Sequence, residues 1–246
     1  MTMVSVRPGA ADAKSAPASW NRMLLSLPLE EESLLLDKGS IVTLKSGDSI
    51  YEPGEPISFV FFPHDSIISL VTTMADGASV EALTVGNDGF AGMCVFHGLA
   101  STTSRGIVQV TGSALRMAAK SFAELLPRLP VLSRLLHSYS QFVFEVASQS
   151  AACNRLHVIE QRCARWLLMT HDRVGRDKFD LTQMFLAEML GVRRPGVTVA
   201  MGILEKQGLI GHSRASVTVV NRPGLEAAAC ECYQTIQARQ RQVLSS

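Results

Sequence analysis

The chain has 246 residues, 47% hydrophobic and 18% charged, which supports a real core and excludes a globally disordered polypeptide. The net charge of +1 selects no partner class, but residues 1–157 carry 11 Lys/Arg against 14 Asp/Glu (−3) and residues 158–246 carry 12 against 8 (+4), a weak pointer to a polyanion at the C-terminal end. No apolar run reaches the roughly 18 residues a membrane span needs, and five cysteines without a disulfide-like framework fit a reducing cytoplasm.

Residues 1–20 are rich in Ala, Ser and Pro, lack the apolar stretch of a signal peptide, and read as a disordered tail. Residues 21–40 read as one or two short helices, with Leu24, Leu25 and Leu27 before a proline and Leu34, Leu35 and Leu36 closing the stretch. From Ile41 to about Leu115, short β-prone runs alternate with turn residues every 8–12 positions: IVTLK, SIYEPGEP, ISFVFF, IISLVTTM, SVEALTV and GIVQV. That rhythm predicts an all-β barrel or jelly roll, with a hairpin at Asp76-Gly77, where both residues tolerate positive φ.

After Ser121 the strand signals stop. Leu135, Tyr139, Phe142, Val146, Gln149, Cys153 and Leu156 follow steps of four and three, a heptad seam on a helix from Val131 to Leu156 about 39 Å long. The seam predicts a homodimer contact, with Gln149 as the polar position that sets register; a core helix packed on its own barrel is the other reading. A second helix follows from about Val158, with a buried stripe of Ile159, Cys163, Trp166, Leu167 and Thr170.

The next stretch, LTQMFLAEMLGVRRPGVTVAMGILEKQGLI, carries the most specific signals. Thr182 is a plausible N-cap, Leu181 and Leu186 a hydrophobic staple, and Gly191 a helix stop. Val197, Met201 and Leu204 give the following helix its own inward face, so the two helices form a helix-turn-helix. Pro195 is tolerated in the first helical turn. Arg193 and Arg194 add positive charge to a helix end that is already positive, which is unfavourable alone and favourable beside a phosphate. The outward residues Gly196, Thr198, Val199 and Gly202 are short enough to let a helix sit deep in a major groove. Beyond Ile210, His212, Ser213 and Arg214 form a basic turn before the alternating ASVTVV, read as a wing that holds Arg214 near phosphates.

The order of these parts resembles the Crp/Fnr family of bacterial transcription regulators over roughly residues 21–233. The likeness is most specific in the stretch just quoted, while AACNRLHVIEQRCARWLLMTHDRVG and AACECY look like one subgroup of the family. The resemblance implies an α+β chain: a disordered tail (1–20), a cyclic-nucleotide-binding-like jelly-roll β-barrel that senses a signal (21–124), a long dimerisation helix (125–157), a winged helix-turn-helix (158–233) and a C-terminal tail (234–246). It implies a homodimer on double-stranded DNA, in contact with RNA polymerase, in the cytoplasm. Of the three base-reading positions of the best-known relative (Arg, Glu, Arg), the first falls on Arg194, while Pro195 and Val199 occupy the others, so that relative's operator does not carry over. Arg194 is expected to read a base, Thr198 and Val199 to make apolar or weak polar contacts, and Thr182, Gln183 and Arg193 to hold phosphates.

In cyclic-nucleotide-binding members a Glu holds the ribose and an Arg the phosphate. The matching turn, around Gly92, Met93 and Cys94, places Met93 at the Glu position. Ser104 falls at the Arg position, with Arg105 one residue along and therefore on the other face of a strand, a placement that a one-residue shift in the loop would reverse. Cyclic AMP is not expected to bind in the usual way, because a buried phosphate without a paired cation is costly; the effector is unknown. No metal or other cofactor is expected. The first cysteine is Cys94, which does not support an N-terminal iron–sulfur cluster. Cys230-x-Cys232 is too short for a metal motif, and Cys94, His97 and His157 read as surface or core groups rather than haem ligands. No paired acid and base, phosphate loop or metal motif supports an enzyme. The rival reading, a ligand-binding module acting through protein partners, needs neither a helix-turn-helix nor a basic C-terminal part.

Overall fold

A computed structural model describes residues 20–244. The tail expected at 1–20 lies, apart from Trp20, outside the described residues. Among these residues, no helix is long and apolar enough to cross a membrane.

Two short helices, α1 (Arg22–Leu25) and α2 (Leu29–Lys38), precede the sheets. Asn21 ties them down. Its side-chain oxygen accepts from the backbone of Met23 and Leu24, while its amide donates to the carbonyls of Pro63 and Gly89, both at 2.9 Å. Seven antiparallel strands follow: β1 (Ser40–Leu44), β2 (Ser49–Tyr51), β3 (Phe59–Pro63), β4 (Ile67–Thr73), β5 (Ser79–Val85), β6 (Arg105–Val110) and β7 (Gly112–Ala118). They form two sheets, ordered β1-β7-β3 and β2-β6-β4-β5. Val60, Phe62, Phe90, Leu115 and Phe122 are fully or almost fully buried, with the Phe62, Phe90 and Phe122 rings packed on one another.

Strand β7 is not among the β-prone runs read from sequence, and it runs past Leu115, where that stretch was expected to end. Its Ala- and Met-containing GSALRMA has little strand propensity, and pairing with β1 on one edge and β3 on the other holds it. At the β4–β5 turn only Gly77 takes positive φ (+86°), while the Asp76 carboxylate accepts from the Ala78 backbone at 3.0 Å.

Past β5 come a short helix α3 (Met93–Phe96) and, after β7, α4 (Ala119–Leu125). The long helix α5 spans Pro130–Leu156. It has no side-chain cap of its own; Glu31 of α2 supplies one, accepting from the Val131 and Leu132 backbone at 2.9 Å each. A carboxylate at a helix start also meets the positive end of the dipole.

The heptad seam of α5 is filled from inside one chain. Leu135, Tyr139, Phe142, Val146 and Cys153 are at most 7% exposed in the single protomer. They pack under β5 and under the last helix, α10 (Cys232–Leu244). Gln149 donates to the Cys232 sulfur at 3.0 Å, and Leu156 is exposed. The seam is thus an intramolecular contact, because the 3–4 spacing marks an apolar face without naming what covers it. Residues 234–244, expected as a tail, belong to α10.

Helix α6 (Ile159–Val174) is buried nearly all round rather than along one stripe, because β4, α10 and two helices of the C-terminal domain surround it. It ends at Gly175 in the left-handed conformation (φ 63°). The C-terminal domain continues with β8 (Lys178–Asp180), α7 (Gln183–Leu190), α8 (Arg194–Lys206), β9 (Ile210–His212), β10 (Ser216–Val219) and α9 (Arg222–Ala228). Its sheet is ordered β8-β10-β9, so Lys178–Asp180, just before Leu181, contributes a strand the sequence reading did not name.

Candidate nucleic-acid interface

Helix α7 starts where expected: Thr182 Oγ1 accepts from the Phe185 backbone at 3.2 Å. It stops at Gly191, in the left-handed conformation with φ 61°. Val197, Ala200, Met201 and Leu204 bury one face of α8. The other face is open: Arg193, Arg194, Pro195, Thr198, Val199, Gly202, Ile203 and Lys206 are all exposed. A side chain at Gly202 would meet nothing within 4 Å. Gly196 differs from the reading above. A Cβ there would lie 3.0 Å from Ile159, so this glycine lets α8 approach α6 rather than a groove. Ile203 and Lys206 were missed, although continuing the 3–4 spacing from Val199 would have found them.

The start of α8 offers fewer free donors than its sequence suggested. Pro195 has no N–H, and the Gly196 N–H is given to the Arg193 carbonyl at 3.0 Å. The positive charge at this end is therefore carried mainly by side chains. The side chains of Arg193, Arg194 and Arg214 have no hydrogen bond or ion pair among the described residues. No acidic residue lies in the first turn of α8. Thr198 Oγ1 donates to Gln183 Oε1 at 2.7 Å. This joins α7 to α8 and leaves the Gln183 amide hydrogens, which are donors, without a hydrogen-bond partner among the described residues. Arg214 lies in the tight turn between β9 and β10, held by the Ser213 and Ser216 hydroxyls at 2.9 Å.

The charge surplus of residues 158–246 does not survive folding as a surface property. Arg162, Arg165 and Arg173 are buried at 6%, 6% and 4% exposure. That leaves 9 basic residues against 8 acidic on the surface of this part. The local cluster, not the net balance, carries the argument for a polyanion.

The barrel touches this domain directly. Arg173 pairs with Asp88 at 2.9 Å, and Gln240 reaches the same carboxylate. Glu81 accepts from Trp166 Nε1 at 3.0 Å, Ser69 at 2.6 Å and Thr84 at 2.7 Å. Gln109 donates to Thr170 at 3.2 Å. A groove of about 650 Å³ separates the β4–β5 hairpin from the helix-turn-helix, lined by Met74, Gly77, Val80, Met184, Gly191 and Arg193 among others.

The residues expected to hold an effector flank two elements of the barrel, α3 and β6. Gly92 is buried, and Met93 and Cys94 begin α3, half-buried. Ser104 precedes β6, with its backbone N–H on Thr102. Arg105 is exposed and paired with Glu52 at 3.2 Å, where it neutralises an acid outside the barrel. Elsewhere, where α5 ends and α10 begins, Cys153, His157, Cys230 and Cys232 come together. Sequence reading had treated these residues separately, placing Cys153 on the helix seam, reading His157 as a surface or core group and setting Cys230-x-Cys232 aside as too short for a metal motif.

Residues 161–228 match the family described as the Crp-like helix-turn-helix domain. No curated protein matches the sequence. The fold is similar to that of FixK2 from Bradyrhizobium japonicum, with 16% identity and a TM-score of 0.64 over 78% of this chain and 98% of that one. A putative Crp/Fnr-family transcriptional regulator from Eubacterium rectale has 14% identity and a TM-score of 0.62 over 82% and 94% of the two chains. A Crp/Fnr-family regulator from Thermus thermophilus has 21% identity and a TM-score of 0.58 over 77% and 98%. Residues 161–228 thus match a Crp-like helix-turn-helix domain, and the fold of the chain is similar to that of the three regulators just named.

Proposed function

We propose that this chain is a sequence-specific, DNA-binding transcription regulator that acts as a homodimer in the cytoplasm. Helix α8 enters the major groove, and its symmetry mate enters the next one, about 34 Å away. The observation that carries this reading is the exposed end of α8, where Arg193 and Arg194 are uncompensated by any group of the described chain. Arg194 reads a base edge, Thr198 and Val199 contact neighbouring bases, and Arg193, Arg214, Thr182 and the Gln183 amide hold the backbone. Contact with RNA polymerase follows from the same role. The test is a gel shift against a pool of genomic fragments. Arg194→Ala is expected to lose about 1–3 kcal/mol of discrimination between sites; an unchanged sequence preference would reduce Arg194 to a phosphate clamp.

The dimer uses the face of α5 left open in the protomer. Phe144, 67% exposed, stands there one turn from Ala147 and two from Ala151, small residues that let a second helix come close. Phe144→Glu is expected to give monomers by light scattering and to weaken DNA binding. The signal enters at the barrel and is not cyclic AMP bound in the usual manner: Met93 replaces the ribose-holding carboxylate, and Arg105 is engaged by Glu52. Micromolar cyclic AMP binding in a calorimetric titration would overturn this part.

A further inference from the structure

Four metal-ligating side chains meet at the junction of α5 and α10. Cys153 and His157 lie one turn apart at the end of α5; Cys230 and Cys232 lie two residues apart where the chain enters α10. Their ligand atoms are all within 4.8 Å of one another. The sulfurs of Cys153 and Cys230 are 3.6 Å apart, and the sulfur of Cys232 is 3.6 Å from His157 Nδ1. Tetrahedral zinc with ordinary bond lengths sets sulfur–sulfur edges of about 3.8 Å and sulfur–nitrogen edges of about 3.6 Å. We propose that Cys153, His157, Cys230 and Cys232 form a closed, structural zinc site that clamps the end of the long helix to α10.

The surroundings suit that role. The three cysteines are at most 3% exposed and pack against one another, apart from the main apolar core. His157 Nε2 faces Glu231 Oε1 at 3.2 Å. That contact leaves Nδ1 as the ligand and supplies the outer carboxylate that orients metal-bound histidines. Gln149 donates to the Cys232 sulfur at 3.0 Å, a bond that favours a thiolate. Arg162 and Arg165 are buried beside Cys153, each with an unpartnered Nε. Three thiolates, a neutral imidazole and Zn²⁺ carry a net −1, which gives these cations a counter-charge that neutral thiols do not.

Other uses of the four groups fit less well. A disulfide needs about 2.05 Å between sulfurs, so Cys153 and Cys230 would have to close further, and Cys232 and His157 would be left without a role. An iron–sulfur cluster must seat several irons and bridging sulfides between its ligands, for which this spacing is too tight. Soft thiolates with one imidazole in tetrahedral array favour zinc over hard cations. With all four positions taken by protein, the site holds structure and leaves no place for substrate. Arg162 also donates to the Leu190 carbonyl at the end of α7, so the clamp is mechanically continuous with the helix-turn-helix.

The test uses the full-length reduced chain, freed of metal and titrated anaerobically with Co²⁺ and then Zn²⁺. One equivalent of cobalt should bind with the visible bands and thiolate charge-transfer absorption of a tetrahedral sulfur-rich site, and zinc should displace it. Cys230→Ser should abolish the charge-transfer signature. Glu231→Gln, at an exposed side chain that folding does not need, should weaken binding about 10–100-fold. The proposal is overturned if the folded chain takes up no stoichiometric metal, or if Cys230→Ser binds it unchanged. It is equally overturned if the protein isolated without reductant shows only three titratable thiols of its five cysteines after denaturation and no metal, the outcome for a Cys153–Cys230 disulfide.

Discussion

The α6 junction and the α8 tip both lie in the C-terminal third and both are rich in arginine, yet their charges do opposite things. At α6, Arg162, Arg165 and Arg173 are withdrawn from solvent, and Arg173 meets Asp88 of the barrel side by side. At α8, Arg193 and Arg194 stand in solvent with nothing in the described chain to neutralise them. The same residue type therefore holds two domains together in one place and stands uncompensated in the other. Counting charges merges the two; burial separates them.

Breaking the buried side should have the largest effect. Arg173→Ala leaves the Asp88 carboxylate buried with only neutral partners and is expected to cost about 3–5 kcal/mol in urea unfolding. The packing also leaves little room there: a Cβ at Gly86 would lie 2.6 Å from the Arg173 side chain. A loss under about 1 kcal/mol, the range of exposed pairs, would mean that water reaches the pair and that the junction is looser than described.

Acid should expose the same intolerance of buried charge inside the barrel. His64 is 3% exposed and stacked 4.2 Å from Trp20. Burial lowers its pKa from 6.5 to about 4, against a small opposing pull from Asp65. The unfolded chain takes a proton near pH 6.5 and the folded chain only near pH 4. Stability from a neutral His64 is thus full above the higher value and falls as pH drops between the two, by an amount on the order of 3 kcal/mol. Unfolding curves across that range should show the decline, and His64→Leu should flatten it; an equal slope in the variant would assign the decline to other groups.

The smallest effect should come from the solvated side. Arg193→Ala should weaken DNA binding about equally across sequences and reduce the salt slope by about 1, with unfolding free energy unchanged. A change in stability instead would show that this arginine has an internal partner and would blur the contrast with α6.

Much of the interface was legible because its signals are local. The Thr182 cap, the Gly191 stop, the early Pro195 and the spacing of Val197, Met201 and Leu204 each depend on residues within a turn or two. Gly196 was misread for the same reason: a small residue looks outward-facing until Ile159, 37 positions earlier in the chain, is seen to lie against it. Strand β7 was overlooked because its stability comes from two neighbours rather than from its own propensity.

What sequence alone determined here is the order of the elements, the β-rich first half, the helix-turn-helix and the basic tip of α8, all written in periodicity and capping. Folding decided which surface covers the heptad stripe of α5, which arginines reach solvent, and that Cys153 and His157 meet Cys230 and Cys232. A stripe records only that a face is apolar, and a side chain's partner more than 70 residues away leaves no trace in local spacing; both are chosen when the elements pack.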